Sequence, residues 1–246
     1  MTTRAPVAIR GATSVSIPLH WRLDGAGADA EAPLVVALHG QGMDEDQFAL
    51  LLQKLLLLPY RFLLPRAPWP FELRAEQRVG WSWYAYDGDQ ERFRAELART
   101  EHMLLQVLRD VETAHGLRPR RRALLGFSQG GYCGAVIALR HPELFHGLVV
   151  SGARVKAEIL TDEIQHAGER RFPVLLCHGL RDVHVLHEAA TASHDTLAAA
   201  GLAVQLETFD AGHSIGRSQV DAIGRWLTRT LDAPDAAGRP HPTARS

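Results

Sequence analysis

Short apolar runs alternate along this chain with longer stretches in which apolar residues recur every three or four positions. The runs are PLVVALHG (33–40), YRFLLPRAP (60–68), RRALLGFS (121–128), HGLVVSG (146–152), FPVLLCHG (172–179) and LAVQLETFD (202–210). Most are continuously apolar rather than alternating, the pattern of parallel strands covered on both faces. Gly, Pro and His punctuate their ends. The stretches between them predict helices. DEDQFALLLQKLLLL begins with Asp44 and Gln47 at capping-box spacing. QERFRAELARTEHMLLQVLRDVETAHG is long and amphipathic through Leu97, Leu104, Leu108 and Val111, with Gly116 as its stop. QGGYCGAVIALRHP ends at Pro142, HEAATASHDTLAAAG ends at Gly201, and SQVDAIGRWLTRTL is the last helix. Alternation this regular predicts an α/β fold with a mostly parallel central sheet and helices on both faces. The opening VAIRGATSVSIPLHWRLDG reads as an antiparallel hairpin at the sheet edge. There is no internal repeat. Residues 1–231 read as a single domain. The segment DAPDAAGRPHPTARS, 232–246, reads as a flexible tail, because it has no apolar period.

One junction carries chemistry. LLGFSQGG places Ser128 between an apolar strand and a helix, inside G-x-S-x-G. A turn this sharp forces the serine into strained backbone, and Gly126 and Gly130 leave room where side chains would clash. The hydroxyl is then exposed beyond the carboxyl end of a strand, where open sheets bind ligands. The helix N-terminus behind it favours developing negative charge. A serine that merely caps the helix is the plainer alternative.

A serine hydroxyl needs a base, and the base needs a carboxylate to orient it. On this architecture the chain order is Ser, acid, His. Asp182, in LLCHGLRDVHV, follows one strand, and His213, in FDAGHSI, follows the next. Asp210 competes as the acid, and His184 or His187 as the base. His178 reads as a strand-end residue bonded to loop backbone. The spacing of His178, His184 and His187 matches no closed zinc pattern, so no metal is expected. Acyl transfer also needs oxyanion donors. Gln129, after the serine, offers one backbone N–H. Gln41, between Gly40 and Gly42 in ALHGQGMDED, offers the second. A histidine base predicts activity falling on the acid side, near pH ~6–7, where imidazoles take up a proton.

Composition narrows the setting. With 246 residues the chain is long enough for a core that needs no staples. A formal net charge of -1 gives no field to gather nucleic acid or an anionic membrane. The cluster RPRRR at 118–122 reads as a solvated turn. The greasiest run, Phe48 to Leu58, is too short to cross a bilayer, so no membrane insertion is expected. Cys133 and Cys177 lie in separate apolar segments and read as buried free thiols, which suits a cytoplasmic setting.

Together LHGQGMDE, LLPRAPWP, GFSQGG, HGLRDVHV and GHSI resemble the phospholipase/carboxylesterase family of α/β-hydrolases, which includes acyl-protein thioesterases. The segments run in family order over roughly residues 33–230. The resemblance implies the α/β-hydrolase fold and a serine hydrolase without cofactor. It implies Ser128, Asp182 and His213 as triad, acting through an acyl-enzyme on a small ester or thioester. A homodimer stays open. The same residues would serve an acyltransferase or peptidase, and a non-catalytic binding module on this scaffold is the reading from another class. Two features depart from the family. His184 stands where a small apolar residue is usual. The connection WPFELRAEQRVGWSWYAYDGDQ is rich in aromatics. Its Trp69, Trp81, Trp83 and Tyr84 either wall a substrate pocket or form a satellite core under a long loop.

Overall fold

The computed structural model describes residues 11, 13, 17–25, 27 and 29–233. Seven strands form the main sheet: β1 (Trp21–Gly25), β2 (Leu34–Leu38), β3 (Arg61–Pro65), β6 (Arg122–Phe127), β7 (Gly147–Ser151), β8 (Pro173–Gly179) and β9 (Ala203–Phe209). Their order is β1-β3-β2-β6-β7-β8-β9. Every pair is parallel except β1–β3. All six apolar runs thus become strands of one sheet. The expected opening hairpin is corrected. Among the described residues the segment supplies one strand, β1, which pairs antiparallel with β3 at the edge; most of its earlier part lies outside them.

Period-two burial divides the core into two layers. On β2, Leu34, Val36 and Leu38 face α2 (Gln90–Ala114) and α3 (Gln129–Arg140), and this layer also takes in α4 (Thr161–Glu169) and α5 (His187–Ala199). Val35 and Ala37 face α1 (Glu45–Leu51) and α6 (Arg217–Leu231). Both faces are therefore covered, which is why the strands read as unbroken apolar runs. At a fully buried leucine, each such burial contributes roughly 1.5–3 kcal/mol.

Three local features depart from the sequence expectation. The helix expected over 44–58 begins as read, with both capping-box bonds of Asp44 and Gln47 present, but α1 stops at Leu51. A short 3₁₀ turn at Leu55–Leu57 follows, seating Leu52 and Leu55 in the core and leaving Leu57 exposed. A run of leucines has no polar face, so its period could not mark the stop. The aromatic connection contains a two-stranded hairpin, β4 (Trp69–Leu73) and β5 (Arg78–Ser82). Its turn uses Gln77 at φ 52 rather than a glycine or asparagine. Helix α4 is the third. Of the expected tail, only Asp232 and Ala233 are described; Asp232 accepts from the Tyr60 hydroxyl at 2.8 Å. Cys133 and Cys177 are free and buried. Among the described residues no helix is long and apolar enough to cross a membrane.

The topology fixes where a site can form. The chain leaves β2 to one side, for β3, and returns on the other, for β6. At such a reversal the loops after the two strands diverge and open a crevice at the carboxyl edge. The loop after β2 carries Gly40–Met43, and the turn after β6 carries Ser128.

Candidate active site

Ser128 occupies a strand-to-helix turn of one residue, with φ 52 and ψ -120. This is strained backbone for a residue with a side chain, costing of order 1–3 kcal/mol. It is held by the Ser128 amide donating to the Ser151 carbonyl at 2.8 Å and by close packing on either side. A Cβ on Gly126 would lie 2.3 Å from the Gly130 carbonyl oxygen, and one on Gly130 would lie 2.3 Å from that of Leu38. The two glycines of the motif are thus required by backbone contact.

His213 bridges the serine to a carboxylate. The Ser128 hydroxyl donates to His213 Nε2 at 2.8 Å, and Nδ1–H donates to Asp182 Oδ2 at 2.7 Å. The other Asp182 oxygen accepts from the amides of His184 and Val185, at 2.9 and 3.0 Å. Burial by itself would raise the Asp182 carboxyl. The Val185 amide, His213 and the His184 amide together outweigh it and hold the group below the ordinary carboxylate range. His213 is further boxed by Phe127, at 5.2 Å between ring centroids, and by His184, edge-on at 5.1 Å. The structure brings together the three residues singled out in sequence.

Of the competitors, only His184 stands at the site, its ring against His213 and its amide on Asp182. Asp210 is exposed and pairs with Arg181 at 2.6 Å. His178 is buried and donates from Nε2 to the Val185 carbonyl at 2.7 Å, closing the turn that carries Asp182. His187 begins α5, its ring 6.2 Å from that of His178. No group of three or more ligating side chains that could hold a metal occurs among the described residues.

The loop after β2 lies against the Ser128 turn: a Cβ on Gly40 would be 3.4 Å from Ser128 Cβ. Gln41 is exposed there, and its N–H has no acceptor among the described residues; nor has that of Gln129 in the first turn of α3. Both amides are therefore available to a ligand. The Gln129 side chain serves otherwise. Its Oε1 accepts from the Trp83 amide at 2.7 Å, and its Nε2 donates to the Tyr84 carbonyl at 2.9 Å.

The aromatic connection proves to be divided. Trp83 and Tyr84 belong to the core, with Trp83 only 1% exposed, so Trp83 lines no open pocket. It works from behind, donating from Nε1 to the His39 carbonyl at 2.8 Å. The indole is large enough to fill the layer beneath the loop and still reach it. Trp81 is half-buried, under the Arg66 guanidinium at 5.0 Å, and its carbonyl takes the Gly42 amide at 2.8 Å. Trp69 is half-buried on β4. Sequence reasoning missed His39. Its Nε2 accepts from the Ala67 amide at 3.0 Å, so Nδ1 carries the proton and donates to the Gly40 carbonyl at 2.8 Å. Burial pushes this imidazole down to about 4, which keeps it neutral. Only its place at the head of HGQG could have signalled a role.

The comparisons with known proteins agree with this geometry. A probable carboxylesterase of Oryza sativa subsp. japonica is 32% identical over 126 residues, 50% of this chain and 47% of that protein. Lysophospholipase-like protein 1 of Mus musculus is 25% identical over 151 residues, 57% of this chain and 63% of that one. The chain thus matches less than two thirds of the length of either relative. Among solved structures, esterase PE8 superposes with a TM-score of 0.72 at 26% identity, covering 87% of this chain and all of that one. The model of the phospholipase/carboxylesterase family matches residues 25–231, and the chain belongs to that family.

Proposed function

We propose that this protein is a serine hydrolase of carboxylic esters or thioesters, and that residues 1–231 act as one domain. The observation that carries the reading is the His213 ring, bonded to Ser128 on one side and Asp182 on the other within 2.8 Å. His213 Nε2 takes the Ser128 proton as Oγ attacks the carbonyl carbon. The oxyanion meets the N–H groups of Gln41 and Gln129 at the α3 N-terminus, donors typically worth about 10²–10³ in turnover each. The imidazolium, its charge offset by Asp182, gives the proton to the leaving oxygen or sulfur. The acyl-enzyme is then hydrolysed by a water that His213 deprotonates. No step calls for a cofactor.

A fluorophosphonate probe tests the assignment. Mass spectrometry is expected to find one adduct, on Ser128, lost in Ser128→Ala together with hydrolysis of p-nitrophenyl acetate. An adduct on another serine, or turnover surviving in Ser128→Ala, would overturn it.

A further inference from the structure

One wall beside the triad carries charge that hydrolysis itself does not use. β7 ends at Ser151, whose carbonyl holds the Ser128 amide, and a Cβ on the next residue, Gly152, would lie 3.4 Å from His213 Cε1. The chain then leaves the sheet and turns at Lys156, where the Ala157 amide donates to the Val155 carbonyl at 3.0 Å. Ala153 and Val155 are buried, while Arg154 and Lys156 alternate with them as half-buried residues. Ala153 abuts the first turn of α3, its Cβ 2.9 Å from where one on Gly131 would stand. Three residues reach at most about 10 Å even when fully stretched, so the Lys156 backbone lies within that distance of Ala153, beside the first turn of α3. Tyr132, one helical turn beyond Ser128, feels both Arg154 and Asp182 and so links this wall to the triad.

The two cations are not alike. Arg154 donates to both oxygens of Glu158, at 2.7 and 3.0 Å. Lys156 makes no ion pair among the described residues. Its Nζ lies 4.2 Å from the Phe93 ring centroid and 5.1 Å from that of Tyr86. Burial lowers its pKa, the mark of an ammonium drawn partly out of water. Cation–π contacts offset some of that cost. Glu158 acts on Lys156 as well as on Arg154, but two cations against one carboxylate still leave the wall positive.

We propose that Lys156 is the centre of a subsite for an anionic group of the substrate, a carboxylate or phosphate a few carbons from the scissile carbonyl. The subsite rests on the hydrolase reading and narrows it to esters or thioesters that bear negative charge at one end. Lys156 supplies the charge, and Tyr86 flanks it.

The test compares kcat/KM for paired substrates. One arm uses p-nitrophenyl esters of equal acyl length, neutral or ending in carboxylate. The other uses aryl acetates with or without a phosphate on the leaving group. The charged-to-neutral ratio is expected to fall about tenfold in Lys156→Gln and to recover in Lys156→Arg. It should rise in Glu158→Gln, which frees Arg154, and fall with added salt as the charges are screened. The arm that responds tells which side of the ester carries the anion. Ratios unchanged across these variants in both arms would overturn the proposal. Calorimetric binding of glutarate and of inorganic phosphate gives a second readout that needs no turnover. At least one is expected to bind about tenfold more weakly to Lys156→Gln than to the parent, and equal binding of both counts against the subsite. Absent hydrolysis of neutral esters, with that binding difference intact, would strike the hydrolase reading alone.

Discussion

Two loops meet at the Ser128 turn and are held in opposite ways. The loop after β8 holds itself: its His184 and Val185 amides grip the Asp182 carboxylate, and His178 closes the same turn through Val185. The loop after β2 is held from outside. His39 bonds the Gly40 carbonyl, Trp81 takes the Gly42 amide, Arg78 donates to the Gly42 carbonyl at 2.7 Å, and Trp83 fixes the His39 carbonyl. The contrast follows from what each loop offers. Where the working group is a side chain, the loop can spend its own amides on positioning it. Where an amide is left without an acceptor, as at Gln41, other elements supply the rigidity. The aromatic connection is that supply, and β4–β5 stands so close that a Cβ on Gly80 would lie 2.1 Å from the Gly42 carbonyl oxygen.

The largest break in this comparison is on the acid loop. Asp182→Asn should lower kcat about 10⁴-fold by leaving His213 in the wrong tautomer, with KM little changed; steady-state ester hydrolysis measures it. Retention of more than a tenth of the activity would remove Asp182 from its assigned role. Trp83→Phe keeps the ring but deletes the bond to the His39 carbonyl. Because it loosens the other loop without removing a donor, it should cost about tenfold in kcat, less than losing an oxyanion donor outright. Equal losses in kcat and in thermal midpoint-matched controls would instead make Trp83 a packing residue only.

His39 sharpens the comparison through pH. Its imidazole is held neutral down to about 4 in the folded chain, against 6.5 for the unperturbed group. Between those values the unfolded chain binds the proton and the folded one does not. The stabilising contribution is therefore complete above pH ~6.5 and is lost as pH falls through the folded value, by up to about 3 kcal/mol. Urea midpoints from pH 7 to 4 should fall more steeply for the parent than for His39→Gln; parallel curves would contradict this. The smallest effect is expected where the outer loop joins α1. Asp44→Ala removes the cap on Gln47 and should cost ~1 kcal/mol in stability, read from the same denaturation curves with activity retained.

Legibility along the chain follows the range of the interactions. Five of the six strands were readable because they are buried on both faces, so their apolar runs are unbroken; the edge strand β9 is half exposed and carries polar residues. The serine turn was readable because part of its constraint is local, with Gly126 packed on Gly130, although Gly130 packs on the distant Leu38 and the Ser128 amide bonds Ser151. The β4–β5 hairpin was not, since its turn lacks the usual residues and Pro70 sits in a strand. Nor was Trp83, whose donor bond joins residues 44 apart. His39 looked like part of a strand end, and only the packed structure shows both ring nitrogens engaged.

By itself the amino-acid order determined the alternation of strands and helices, the strained serine turn, and a short roster of acids and bases beyond it. Burial periodicity and glycine spacing are local properties and survive in a linear text. Tertiary structure alone decided which carboxylate meets His213. Asp182 and Asp210 both lie near its loop, but β8 and β9 pair with Gly179 opposite Phe209. That register sets the Asp182 turn facing His213 and leaves Asp210 outside, on Arg181. It likewise placed Trp83 behind the loop after β2 and Lys156 against Tyr86 and Phe93, because distances between segments far apart in the chain are fixed only when the sheet closes.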